Sequence, residues 1–255
     1  MNVFPETVRA HPPLFTVVTV VFNGVGEVEK TIKSVIDQGF CNYEYVVIDG
    51  GSDDGTVEIL KKYSKQISYW VSESDLGIYD AMNKALLAAR GEWIIFLNAG
   101  DCFSDDGVLE YLACELRGET VDIVYGDHSV FYPSTGKLKN KTAGFILDIW
   151  KGSVFSHQSV FVRLSYHQRN PFNISNKISA DFEFFYKAFN DGVTFKKINK
   201  IVSVVSAGGL SDIRRVDSVL GWWCVVEKTW IVNCYYVYRI LLEMVKGTLR
   251  SFFDR

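Results

Sequence analysis

The sequence predicts an α/β fold: a mostly parallel sheet flanked by helices, with a C-terminal helical extension. Three observations carry this. Between residues 15 and 127, short aliphatic runs alternate with segments whose apolar residues recur at helical spacing, the pattern of a parallel sheet with right-handed crossovers. The first strand candidate is β-branched and apolar without alternation, as a strand covered on both faces is. After Gly208-Gly209 the chain changes to a long helical stretch.

The elements follow in order. Residues 15–22 form the first strand, and a helix follows with Val28, Ile32, Val35 and Ile36 on one face, stopped by Gly39. Residues 44–48 are a second strand. Residues 56–64 are a helix with Ile59, Leu60 and Tyr63 inward, and 67–71 a third strand. Residues 78–90 form an Ala- and Leu-rich helix ended by Gly91. A fourth strand, 93–97, leads to a helix capped by Ser104 or Asp105, with Val108, Leu109, Leu112 and Leu116 in the core. Residues 121–125 are a fifth strand.

Beyond it the rhythm changes. Pro133-Ser-Thr-Gly136 joins a hairpin of 129–132 and 137–139. Residues 155–163 contain another strand. Residues 180–190 form a helix, and 194–198 and 201–205 two short strands. This divides the chain into a main domain, 1–211, with halves 15–127 and 128–211, and an amphipathic helical region, 212–255.

Composition narrows the function. The formal net charge of −3 over 255 residues provides no electrostatic footprint for a nucleic acid. Five cysteines lack CxxC spacing, so neither a zinc site nor a disulfide framework is indicated, which fits a reducing cytoplasm. The N-terminal MNVFPETVRAHPP has no apolar signal core.

Ligands of an open parallel sheet bind at the carboxyl ends of its strands. Those ends carry Asn23-Gly24, the run from Asp49 to Thr56, the run from Ser72 to Gly77, and Asn98-Ala-Gly-Asp101. Acids at three neighbouring strand ends line one crevice and call for a counter-charge. Mg²⁺ or Mn²⁺ supplies it, held by one or two carboxylates plus substrate phosphates. Asp53, Asp54, Asp105 and Asp106 read as caps or turn formers. Gly24-Val-Gly-Glu-Val-Glu29 imitates a dinucleotide-binding fingerprint. Glu29 occupies its third glycine position, however, and Glu27 puts further negative charge where pyrophosphate would sit.

Taken together, residues 17–23, 46–56, 75–84 (DLGIYDAMNK) and 91–101 (GEWIIFLNAGD) resemble the family 2 inverting glycosyltransferases of GT-A fold. The likeness is to bacterial enzymes that build O-antigen, capsule and colanic acid chains. The second half matches more loosely, through His157-Gln-Ser-Val-Phe161, Ser179-Ala-Asp-Phe182 and Gly208-Gly-Leu-Ser211. The resemblance implies that Thr19, Phe22 and Asn23 line the nucleotide pocket and that Asp49 accepts a hydrogen bond from the base, usually uracil. Asp75, Gly77 and Asn83 would lie near ribose, diphosphate or sugar. Asp101 would hold Mn²⁺ or Mg²⁺, with His157 as a second ligand, and Asp181 would be the general base. Asn98 and Gly100, which the resemblance also places at the nucleotide-sugar, stand where the family's metal motif usually has acids. The QxxRW motif of processive synthases is absent, which implies transfer of a single sugar.

The expected partners are a nucleotide-sugar donor, most simply a UDP-sugar, and a lipid-linked or oligosaccharide acceptor, at the cytoplasmic face of the inner membrane. Two other functions fit the sheet: a sugar nucleotidyltransferase, and a non-catalytic carbohydrate-binding relative. Asp181 could instead be a helix N-cap, and His157 a buried histidine bonded to backbone. His11, His128 and His167 read as structural. The aromatic C-terminal region, with Lys228, Arg239, Lys246 and Arg250, fits a membrane interface, a homo-oligomer contact or a helix packed on the domain.

Overall fold

The computed structural model describes residues 12–209 and 213–253. His11, Leu210, Ser211 and the division at 211/212 lie outside the described residues.

The predicted alternation folds into one nine-stranded sheet. Its strands are β1 (Phe15–Val21), β2 (Tyr43–Asp49), β3 (Tyr69–Ser72), β4 (Trp93–Phe96), β5 (Cys102–Phe103), β6 (Ile123–Tyr132), β7 (Lys137–Lys141), β8 (Val160–Arg163) and β9 (Phe195–Ser206). The order is β3-β2-β1-β4-β8-β6-β9-β5, with β7 paired to β6. β3, β2, β1 and β4 run parallel, and β8 is antiparallel to both β4 and β6. The proposed division at 127/128 falls inside β6, so both halves share one sheet.

All seven residues of β1 are buried, which explains its unbroken apolar run. Their side chains alternate between two cores. Val18 and Val20 face α3 (Ile78–Ala88) and α6 (Ala180–Asn190). Phe15, Val17 and Val21 face α1 (Val28–Ile36) and α4 (Val108–Glu115). The remaining helices are α2 (Thr56–Lys62), α5 (Leu164–Arg169), α7 (Arg215–Val225) and α8 (Trp230–Phe253). Helices on both faces bury what a lone sheet would expose; Ile32, fully enclosed in α1, illustrates the scale, since Ile32→Ala would cost about 2–5 kcal/mol.

Several predicted elements differ. Ile67 still belongs to the turn after α2, its N–H donating to the Tyr63 carbonyl, so β3 starts later than expected. α4 has Gly107 at its N-cap; Asp105 accepts from the Gly107 N–H in the turn before it. The two strands expected at 194–198 and 201–205 are one, β9, which passes a register shift opposite 125–128. Gly126 permits this, because a Cβ there would stand 2.6 Å from the Lys200 carbonyl oxygen. Within 155–163, His157–Ser159 forms a single 3₁₀ turn before β8. α5, β5 and a 3₁₀ turn at Ile146–Lys151 were not anticipated.

Candidate active site

A cavity of about 690 Å³ opens beside the carboxyl ends of β1 and β4, walled by the 3₁₀ turn at His157, the start of α6 and the face of α7. It brings together Asn98, Asp101, His157 and Asp181, predicted from three separate segments.

Asp181 lies in the first turn of α6, whose N-cap is Ser179. Its side chain, 23% exposed, therefore faces the cavity rather than capping the helix. Tyr79 Oη donates to Oδ1 at 2.8 Å, and His157 Nδ1 lies 3.1 Å from Oδ2. Burial alone would raise its pKa, but the hydrogen bond and charge of His157 and the Tyr79 hydroxyl outweigh it, holding the carboxyl below its usual range. The Tyr79 hydroxyl is pushed far up by burial and by the Asp181 charge, so it stays a donor. The result is an ionised carboxylate with lone pairs left for an incoming hydroxyl.

Asp101 follows β4 through a short turn in which its N–H donates to the Asn98 carbonyl. Only 6% exposed, it accepts from Gln158 Nε2 at 2.8 Å and from the Ser206 N–H at 3.2 Å. Burial raises its pKa, against the Gln158 hydrogen bond and the His157 charge. Gly100 beside it is left-handed (φ 96°), with Glu27 Oε2 2.7 Å from where a Cβ would stand.

Three expectations need correction. His157 Nε2 lies 3.2 Å from Asn98 Nδ2 while Nδ1 meets Asp181, so both ring nitrogens are occupied and neither is free for a metal. The Thr19 side chain is enclosed in the sheet, its hydroxyl bonded to Tyr45, and lines no pocket. Asn83 is turned to the backbone of Phe172, donating to its carbonyl and accepting from its N–H, both at 2.9 Å.

The nucleotide-side candidates lie at the ends of β1 to β3. Phe22 is 65% exposed, and its ring and the Asp75 carboxylate converge over Gly50. Asn23, at φ 49°, accepts from the Asp53 N–H. Asp49 is fully buried and already accepts from the N–H groups of Gly51 and Ser52 and the hydroxyls of Ser52 and Ser72. It organises the loop, and a base donor would have to displace one of these. Gly77 opens α3, and its N–H is held by Asp75.

Among the described residues no group of three or more His, Cys, Asp or Glu converges to hold a metal. The oxygens present still fit one kind of ion. Asp101 offers a buried carboxylate, and Asn98 Oδ1 is buried without a hydrogen-bond partner. Two hard oxygen donors suit Mg²⁺ or Mn²⁺ completed by substrate phosphates.

Sequence reasoning missed Tyr79, Gln158, Ser206 and Glu27, all lining this cavity. Tyr79 and Gln158 sit inside the quoted motifs, next to Ile78 and His157. Ser206 and Glu27 reach the site only through the sheet topology. His128, read as structural, also lines the cavity; burial lowers its pKa, and its Nδ1 has no hydrogen-bond partner.

Acids at the carboxyl edge of a parallel sheet, joined to a second half of mixed strand direction that carries a cavity-facing carboxylate, fit a glycosyltransferase of GT-A fold. The chain belongs to glycosyl transferase family 2, whose family model matches residues 16–189. It is 28% identical over 209 residues to a PGL/p-HBAD biosynthesis glycosyltransferase of Mycobacterium tuberculosis (78% of this chain, 80% of that protein). It is 33% identical over 187 residues to an uncharacterized glycosyltransferase of the same species, covering 69% of each. The fold resembles Staphylococcus aureus TarS in complex with UDP-GlcNAc, at TM-score 0.67 and 18% identity over 83% of this chain and 65% of that one. It also resembles the Pyrobaculum calidifontis mannosyltransferase PcManGT in complex with GDP-Man and Mn²⁺, at TM-score 0.66 and 17% identity over 91% and 70%. No helix among the described residues is long and apolar enough to cross a membrane.

Proposed function

We propose that this glycosyltransferase moves a single sugar, with inversion, from a UDP-sugar to a saccharide carried on a lipid, in bacterial surface polysaccharide synthesis at the cytoplasmic face of the inner membrane. The observation that supports it most is the ionised Asp181 carboxylate, opening into the cavity that also holds Asp101. The acceptor oxygen bonds to the anomeric carbon on the side opposite the nucleotide, the bond from that carbon to the diphosphate oxygen breaks, and the acceptor proton passes to Asp181. Tyr79 and His157 keep the carboxylate oriented throughout. Mn²⁺ or Mg²⁺, when bound by Asp101 and Asn98 Oδ1 with the diphosphate, supplies Lewis-acid charge to the leaving group.

The test is turnover on a panel of UDP- and GDP-sugars with a lipid-diphosphate saccharide acceptor and Mn²⁺. Asp181→Asn is expected to lose about 10²–10⁴-fold in transfer while retaining UDP binding. Transfer at the wild-type rate in Asp181→Asn would refute the base assignment, and a product of retained configuration would refute inversion.

A further inference from the structure

α8 is a helix of 24 residues with two apolar faces. The inner face holds the domain: Val232 and Tyr236 are buried, Tyr236 Oη donates to the Trp150 carbonyl, and Trp223 stacks on Tyr236 and donates to Asn233. The outer face carries Trp230, Ile231, Val237, Tyr238, Leu241 and Val245, all exposed, with Trp230 at 79% and Ile231 at 64%. At about 100° per residue these six fall within an arc of roughly 120°. No charged residue of α8 falls in that arc. Arg239 and Lys246 stand on the side of the helix away from this arc, Lys246 paired with Glu243.

Charge indicates what covers this arc. From residue 213 on, the sequence has seven Lys and Arg against four Asp and Glu, a net of +3 on a chain whose total is −3. An apolar arc with Trp and Tyr, backed by excess cations, matches an anionic lipid surface, where a helix lies flat at the boundary of headgroups and acyl chains. A second copy matches less well. A two-fold contact would set two net-positive segments against each other.

We propose that the outer face of α8 docks the enzyme on an anionic lipid surface. This deepens the reading of a lipid-carried acceptor, on which it rests. α7, packed against the inner face of α8, contributes Ser218 and Trp222 to the cavity wall, so docking through α8 holds the cavity one helix layer behind the docked face.

The test is co-sedimentation of the full chain with phosphatidylcholine vesicles, with and without added phosphatidylglycerol. Expected are binding that requires phosphatidylglycerol, weakening with salt, and a loss of more than about tenfold in the double variant Val237→Glu, Leu241→Glu. Both positions are exposed, and unchanged turnover on a water-soluble saccharide acceptor verifies that the variant is folded. No pelleting of the wild-type chain with anionic vesicles, or equal pelleting of the variant, would overturn the proposal. So would a dimer in analytical ultracentrifugation that the variant dissociates. If lipid-linked acceptors give no turnover while vesicle binding stands, the acceptor reading fails and the docking surface does not.

Discussion

His157 Nδ1 and Asp181 Oδ2 face each other at 3.1 Å, and the other ring nitrogen of His157 rests on Asn98. The imidazole thus joins the Asp181 carboxylate to the loop that carries Asp101. Burial pushes the Asp181 pKa up, and His157 is the largest influence pulling it down. If Asp181 is the proposed base, transfer needs its ionised form, which exists above the pKa, so the depressed pKa is expected to keep the wild type active well into acid. In His157→Gln the opposition to burial is weakened. The acid limb of the kcat/KM profile is expected to move to higher pH. An unmoved acid limb would show that His157 does not tune the base.

Asp101 is a single buried carboxylate rather than a member of an acidic cluster. Mn²⁺ is therefore expected to bind measurably only together with UDP, and chelation should abolish transfer while leaving the fold intact. Burial raises the Asp101 pKa. The ion needs the ionised form, so the Mn²⁺ concentration for half-maximal activity should rise as pH falls toward that pKa. Asp101→Asn should raise it at every pH. Tight Mn²⁺ binding without nucleotide, by calorimetry, would contradict this.

Asn83 stands in the IYDAMNK stretch, where resemblance points to the donor, yet its amide serves the Phe172 backbone. Asn83→Ala leaves a backbone N–H and a carbonyl without their partner, at a cost of about 2 kcal/mol. The expected signature is a lower urea midpoint with an unchanged KM for the donor. A KM that rises at unchanged stability would return Asn83 to the donor site.

The parallel half was legible because β1, β2 and β4 are covered on both faces and each helix shows one apolar face. Val18 and Val17 are apolar for the same reason, though they serve opposite cores. Asp101 and Asp181 could be found because short motifs carry them. Tyr79 was legible as part of a motif but not as a partner of Asp181, since 102 residues separate them and only the packing of α3 against the start of α6 joins them. Ser206 reaches Asp101 because β9 pairs with β5, a two-residue strand without a sequence signal. The bend in β9 was read as a break because Asn199-Lys200 is polar, while the bulge that absorbs it depends on Gly126 in another strand.

His167 gives the clearest pH signature in stability. It is enclosed among Phe96, Phe172 and Phe184, stacked on the last at 4.2 Å, and its Nδ1 has no hydrogen-bond partner. Burial lowers its pKa from 6.5 to about 4. The unfolded chain therefore binds a proton between those values that the folded chain refuses. Stability is unaffected by this group above about pH 6.5 and falls as pH drops toward 4, by roughly 3 kcal/mol in all at ~1.4 kcal/mol per pH unit. His167→Phe keeps an aromatic ring among aromatic rings and removes the proton site. Urea unfolding between pH 7 and 4 should then show a shallower loss of stability in His167→Phe than in the wild type, and parallel curves would rule out His167 as its source.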